Sequence, residues 1–421
     1  MKQYPFPKNR WTDIALGLYL FAMLLLARDT IITSVIVGFY KSQVLMLALM
    51  GLLGAVFLIY NRRNLRQILT DQRLFLILAL ALFFICVMVL KRDWQIMYFS
   101  ILLCLIFAVF VTFFTDSESV ARYYVVILTA LSVYALIATY VLRKLGYMGV
   151  IPHPRSVTND AGMVFFDYGL CFAVDHRYWH RNFGIFREPG VYQFFLLLGL
   201  YLNHYQVRWE KEGTRWIYTG LLAVTMISTY SIGGFAELGL FAVFLYLDKK
   251  YYRTKLGRWV GISCIAAAVA VVMAVFIESR KPEFVYSPLY ELYDMFLRLT
   301  TASDSSVDRG SALITDLRMF LQHPLLGSKI APVLHGTNHN TSSTLILFAI
   351  TGVFGGLLHL GTWAALLWKK ERNVFGNLLL LLIFLMSFNT QNLVADVFFW
   401  LLPCMALVER GLPKLLKKGE T

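Results

Sequence analysis

Apolar blocks of membrane-crossing length recur from one end of this sequence to the other, and that recurrence limits the fold more than any other feature. A helix needs about 20 apolar residues to cross the hydrocarbon core of a bilayer. Blocks near that length lie at about 12–27, 42–60, 74–90, 96–115, 123–142, 191–206, 260–277, 342–368, 375–390 and 393–409. Residues 216–247 form one longer block, too long for a single crossing, and Gly233-Gly234 divides it into two. The expectation is an all-α polytopic membrane protein with about twelve transmembrane helices, in one domain over residues 1–421. Hydrophobic residues make up 58% and charged residues only 15% of the chain, against roughly 25% charged in a soluble domain.

The charges set the orientation. Basic clusters follow apolar blocks at Arg62-Arg63-Asn64-Leu65-Arg66, between Lys249 and Arg258, and at Lys369-Lys370-Glu371-Arg372. Lys and Arg collect on the cytoplasmic side of membrane proteins. Both termini are therefore expected in the cytoplasm, with two long loops, about 143–190 and 278–338, on the other face. This bias absorbs most of the net charge of +14, so nucleic acid is not an expected partner. Lys2, Lys8 and Arg10 precede the first block with no small-residue cleavage site after it, which reads as an uncleaved first helix. Cys86, Cys104, Cys264 and Cys404 lie in apolar blocks, and Cys171 stands alone in the first loop. No cysteine or histidine spacing suits a metal, and no cofactor is expected.

The first loop interleaves His153, Arg155, Asp160, Asp167, Asp175, His176, Arg177 and His180 with Tyr147, Phe165, Phe166, Tyr168, Tyr178 and Trp179. Aromatic rings cover the apolar faces of sugars while polar groups take their hydroxyls; an interfacial belt of aromatics and snorkelling arginines is the plainer alternative. The loop closes with Arg181-Asn182-Phe183-Gly184-Ile185-Phe186-Arg187-Glu188-Pro189-Gly190, directly before an apolar block. Arginines at the mouth of a span suit an anionic phosphate, which guanidinium matches with paired hydrogen bonds.

The second loop ends with Arg309, a stretch apolar at 313, 317 and 320 that suits a helix lying along the membrane surface, Arg318, and then His323-Pro324-Leu325-Leu326-Gly327. Arg309 and Arg318 fall on different faces of such a helix, so one of them is structural. His335, His339 and Asn340 precede the next span, where a histidine can move a proton near neutral pH or simply cap the interface. Gly352, Gly355 and Gly356 inside that span read as close helix packing. Glu237 and Asp396 are acids at or within spans.

Four of these segments resemble motifs of the bacterial O-antigen and capsule polymerases and the related O-antigen ligases. They are Arg181 to Gly190; Thr229-Tyr230-Ser231-Ile232-Gly233-Gly234, in which Ile232 stands where the family has arginine; Arg309 followed by His323-Pro324-Leu325-Leu326-Gly327; and His339-Asn340 followed by Gly352 and Gly355. They occur in the family's order and cover about residues 180–360. The resemblance implies a metal-independent, inverting glycosyltransferase of the glycosyltransferase C-like kind in the bacterial inner membrane, its active site facing the periplasm. The implied partners are an undecaprenyl-pyrophosphate-linked oligosaccharide, a growing lipid-linked glycan, membrane lipid and a chain-length regulator protein.

On this reading Arg181 and Arg309 hold the pyrophosphate and stabilise charge on the leaving group. His339 accepts the proton of the attacking hydroxyl, with Glu188 as the rival base. Arg187, Asn340 and Arg318 are secondary contacts to substrate. The alternatives are an O-antigen ligase, which transfers the glycan to a lipid A core, and a polysaccharide flippase or exporter, which performs no chemistry.

Overall fold

The structure is a computed structural model, and it describes residues 10–27, 29–60, 72–152, 154–158, 162, 164–175, 181–281, 289–290, 293, 304–330, 333 and 342–416. The chain is mostly helical. The helices are α1 Arg10–Leu25, α2 Phe39–Tyr60, α3 Gln72–Lys91, α4 Ile96–Phe114, α5 Ser117–Ile137, α6 Pro189–Tyr205, α7 Glu212–Ser228, α8 Ile232–Asp248, α9 Lys255–Glu278, α10 Asp304–Gln322, α11 Ser343–Leu367, α12 Val374–Phe388 and α13 Val397–Leu416. A π-helical turn, Ala138–Leu142, continues α5 into a last turn, Arg143–Tyr147. Every block read as a span is occupied by a helix. Among the described residues, four stretches are long and apolar enough to cross a membrane: Leu74–Lys91, Ile96–Phe113, Ser117–Tyr147 and Ser343–Leu367.

Side-chain caps fix several helix starts. Asp116 accepts from the Ser119 N–H at 2.7 Å, Thr254 from Gly257 at 2.9 Å and Asn373 from Gly376 at 2.7 Å. Pro189 opens α6, where its missing N–H costs nothing. α6 is the central helix, buried on all sides from Val191 to His204, and it packs against α5, α7, α8 and α12. α9 is its opposite. Trp259, Ile262, Val269, Val272 and Phe276 are exposed along it; apolar surface of this extent suits lipid.

The end of the bundle where α6 stops is basic. Tyr205 donates to Asp248 Oδ2 at 2.6 Å, and Arg372 Nε pairs with Asp248 Oδ1 at 2.8 Å. Lys369 Nζ donates to the Tyr205 carbonyl at 3.0 Å. These contacts join the ends of α6, α8 and α11 to the start of α12, and they explain where the basic clusters near 249 and 369–372 gather.

The all-α expectation needs one correction. The first loop folds into an antiparallel sheet of β1 Ser156–Thr158, β2 Val164–Asp167 and β3 Phe172–Val174, in the order β1-β2-β3. The hairpin β2–β3 turns at Gly169, which has φ +89° and donates its N–H to Asp167 Oδ1 at 2.7 Å. Phe165, Phe172, Val174, Phe183 and Ile31 form a small core of their own. The strands are short and aromatic or β-branched, a composition that packs on a pleated surface once an apolar partner is supplied.

The second correction concerns α11, which is not one straight helix. Gly352 has φ 69° and ψ −167° within it. The turn after α10 inserts there: Val353 N–H donates to the Pro324 carbonyl at 2.7 Å, and Ser328 N–H donates to Ala349 at 2.6 Å. Lys91, at the end of α3, donates to the carbonyls of Ser328 (2.7 Å) and Ile350, and Tyr98 OH donates to Ile350 at 3.0 Å. Asp93 accepts from Ile330 N–H at 2.7 Å. Backbone freed by a break at membrane depth must find such partners. Gly352 is therefore a break, not a packing notch.

α10 ends at Gln322, one residue before His323-Pro324, as expected. The face it turns inward differs from the expected one. Ala312 and Asp316 are fully buried and Phe320 meets Phe348 edge to face, ring centroids 5.4 Å apart, whereas Ile314, Leu317 and Leu321 are exposed.

Candidate functional site: the head of helix α6

The segment 181–188 is held on both flanks. On one flank, Arg181 Nε donates to the Thr229 carbonyl at 3.2 Å. Asn182 is fully buried. Its backbone N–H donates to the Ser228 carbonyl at 2.9 Å, its Nδ2 to Ser228 Oγ at 3.0 Å, and its Oδ1 accepts from Gly184 N–H at 2.9 Å. Two of the segments singled out in the sequence, 181–190 and 229–234, are thus in direct contact. Gly184 has φ +57° and lies against the ring of Tyr192, whose hydroxyl meets Ser132 Oγ at 2.9 Å.

On the other flank, Ile31 N–H donates to Ile185 at 2.9 Å and Arg187 N–H to Asp29 at 2.8 Å, with a β-bridge between Thr30 and Phe186. Arg187 Nη2 lies 3.3 Å from Asp29 Oδ1 and 3.6 Å from Glu188 Oε1. Two carboxylates therefore already serve Arg187, and a phosphate drawn to it has to compete with them. Glu188 is the N-cap residue of α6, extended in backbone, its side chain 43% exposed beside Arg187.

The connector between α12 and α13 joins this segment to the head of α11. Gly190 lies flat against Gln391. Gln193, in the second turn of α6, donates to Thr390 Oγ1 at 3.2 Å. From the other side, Ser342 Oγ donates to Asn389 Oδ1 at 2.6 Å, Ser343 Oγ donates to the Gln391 carbonyl and Leu393 N–H donates to Ser343 Oγ at 2.7 Å. The heads of α6 and α11 share one short connector, so both open at the same end of the bundle, opposite the basic end.

His339, Asn340, His335, His153, Asp160, His176, Arg177, Tyr178, Trp179 and His180 lie outside the described residues, as does the side chain of Arg309. The backbone of Arg309 is in α10, which packs on α11. Arg318 is exposed, on the side of α10 away from Ala312 and Asp316. Cys171 is free and buried, its Sγ 3.6 Å from the Leu131 carbonyl. Burial pushes its thiol up, well above the ordinary range.

Sequence reasoning passed over Asn182, Gln193, Ser342, Ser343 and the run Asn389-Thr390-Gln391-Asn392. The last was legible in principle, since four amide and hydroxyl residues between two apolar blocks are more than a hairpin turn needs. Among the described residues, no group of three or more His, Cys, Asp or Glu could hold a metal ion. No protein-family model matches the chain, and no characterised protein matches it in a search of curated proteins.

Proposed function

We propose that this protein is an inverting, metal-independent glycosyltransferase that polymerises surface polysaccharide at the periplasmic face of a bacterial inner membrane. The observation that carries the reading is the shared connector. Through Gly190, Gln193, Ser342 and Ser343 it ties the Arg181–Glu188 segment to the head of α11, and His339-Asn340 immediately precedes that head in sequence.

The chemistry follows from the residue types. The acceptor sugar's hydroxyl oxygen attacks the anomeric carbon of the donor from the side opposite the pyrophosphate. The bond from that carbon to the phosphate oxygen breaks, configuration inverts and undecaprenyl pyrophosphate leaves. Arg181 and Arg309 bind the departing diphosphate, and losing one such donor costs on the order of 10²–10³ in rate. His339 takes the hydroxyl proton, with Glu188 as the alternative acceptor. Arg187 and Asn340 contact phosphate or sugar.

The test is Arg181→Ala, Arg309→Ala and His339→Ala, each confirmed to insert in the membrane and then scored for long-chain polysaccharide. Chains of normal length in all three variants overturn the proposal. Single repeats on the lipid A core mark a polymerase defect, and an unmodified core marks a ligase.

One observation favours a second reading. Helices broken at depth are common in transporters, and α11 is broken at Gly352. A flippase moves lipid-linked sugar without forming a glycosidic bond. Transfer of labelled sugar by purified protein in detergent, with no gradient, separates the two.

A further inference from the structure

The end of the bundle opposite the 181–188 segment gathers positive charge around one ring. Lys249 Nζ and Lys369 Nζ each lie 5.0 Å from the centre of the Tyr205 ring, and Arg372 Cζ lies 4.8 Å from it. The ring stands at the end of α6, Lys249 at the end of α8, and the other two cations in the connector between α11 and α12. All three charges therefore share a region no wider than the Debye length at 0.1 M salt, about 10 Å. Asp248 is the carboxylate that meets them, and its two oxygens already serve Tyr205 and Arg372. Arg372 is the fixed member. Its side chain is 4% exposed, its Cζ also lies 4.8 Å from the Phe244 ring, and its Nη1 donates to the Leu367 carbonyl at 3.1 Å. Lys249 is exposed and forms no ion pair among the described residues. Glu371, next to Arg372 in the chain, is exposed and pairs with no described cation.

Three cations about one carboxylate repel one another, and attraction to the Tyr205 ring offsets only part of that, about 0.5–2 kcal/mol for each cation. Orientation in the membrane calls for basic residues at a bundle end, dispersed as the exposed Lys211, Lys250 and Lys370 are. It does not call for convergence on a single side chain from segments far apart in sequence. An anion resolves the excess, and the neighbouring surface says which kind. Val243 and Leu247 are exposed on α8, ending two residues before Lys249. Val374, Leu378 and Leu382 are exposed on α12, beginning two residues after Arg372. Spacing by four keeps each set on one face of its helix, and α8 packs on α12. The cations thus sit where apolar surface ends. A phosphate that carries acyl chains meets both features, whereas a soluble anion uses only the charge. Basic pockets between membrane helices hold anionic headgroups in this way.

We propose that Lys249 and Lys369 bind the phosphate of an anionic phospholipid whose acyl chains lie along the exposed faces of α8 and α12. Tyr205, Asp248 and Arg372 form the platform that holds the two ammonium groups together. The bound lipid straps α6 and α8 to the connector before α12. This site is independent of the glycosyltransferase proposal, because it lies at the other end of the bundle and shares no residue with the proposed transfer machinery.

The full-length protein, purified in detergent, tests it by thermal unfolding followed through tryptophan fluorescence. Tm is expected to rise saturably as dioleoyl phosphatidylglycerol replaces dioleoyl phosphatidylcholine in mixed micelles at constant total lipid. Inorganic phosphate added without lipid is expected to give no such rise. Lys249→Gln with Lys369→Gln should weaken the apparent phosphatidylglycerol affinity roughly thirtyfold, and Lys249→Gln alone about fivefold, at one basic side chain's attraction each. Lys211→Gln removes the same charge from the same end of the bundle but does not meet the Tyr205 ring, so it should change affinity less than about twofold. If the double variant fails to fold, Lys249→Gln, a change at an exposed side chain, still decides. Equal Tm in the two lipids, a rise produced by inorganic phosphate alone, or a loss in Lys211→Gln as large as in Lys249→Gln overturns the proposal.

Discussion

Gly190, the second residue of α6, lies flat against the side-chain amide of Gln391, with no room for a β-carbon between them. One residue opens a helix and the other lies in a connector far along the chain, and their approach brings the heads of α6 and α11 to that connector. Gly190→Ala forces Gln391 or the connector to move. Overpacking of this kind costs about 1–3 kcal/mol, so the purified variant should melt at a lower temperature than wild type. Gln391→Ala in the same chain opens the space and should restore much of the loss. A Gly190→Ala variant with wild-type Tm removes the close approach.

Lys91 and Gly352 together manage the break in α11. Gly352→Ala places a side chain on a positive-φ, extended-ψ backbone that essentially only glycine adopts, at about 1–3 kcal/mol, and drives a β-carbon into the Leu325 carbonyl. Lys91→Met keeps the length of the side chain but leaves the carbonyls of Ser328 and Ile350 without their ammonium, which costs about 1–3 kcal/mol. Both variants should lower Tm. Because the two act on one break, the double variant should lose less than the sum of the singles; strict additivity would show that they are separate.

Asn182 is a rivet, and Arg187 is not. Asn182→Ala leaves the buried Gly184 N–H without its acceptor and removes the amide that donates to Ser228 Oγ, so its expected cost is about 1–3 kcal/mol. Arg187 pairs with Asp29 at a half-exposed position, where such pairs are worth at most about 1 kcal/mol. Arg187→Ala should leave Tm nearly unchanged. If it also leaves polysaccharide length unchanged, Arg187 has no part in substrate contact.

Orientation can be read chemically. Val150 and Lys370 are both exposed, and the proposed topology assigns them to opposite faces. In spheroplasts, a membrane-impermeant maleimide should label Val150→Cys directly and Lys370→Cys only after permeabilisation. The native Cys171 should stay unlabelled in both, because it is buried and burial holds its thiol protonated. Labelling in the reverse order inverts the topology.

The helices were legible because apolar length and basic clusters are local signals. The division of 216–247 was legible too, although the turn falls at Thr229–Ser231, just before Gly233-Gly234. The loop 181–184 explains that position by occupying the Ser228 and Thr229 carbonyls. The sheet was missed because its strands are three or four residues long and draw their core from Ile31, in the segment between α1 and α2, remote in sequence. The inward face of α10 was misjudged because Leu317 and Leu321 are exposed on its outer side while Asp316 is buried. The break at Gly352 could not be seen either, since a glycine carries the same letter whether it admits a neighbouring helix or interrupts its own. At the candidate site, Arg181 and Glu188 were legible from charge beside a span, whereas Asn182 and Gln193 owe their roles to partners in other helices.

The interrupted α11 also says something about how the protein is made. Its first half cannot satisfy its own carbonyls, and the groups that do so belong to the 324–328 turn and to Lys91 and Tyr98, which leave the ribosome earlier. A newly synthesised α11 therefore enters the bilayer complete only beside an α3–α4 pair already in position, which makes that hairpin an internal template for the C-terminal third of the chain.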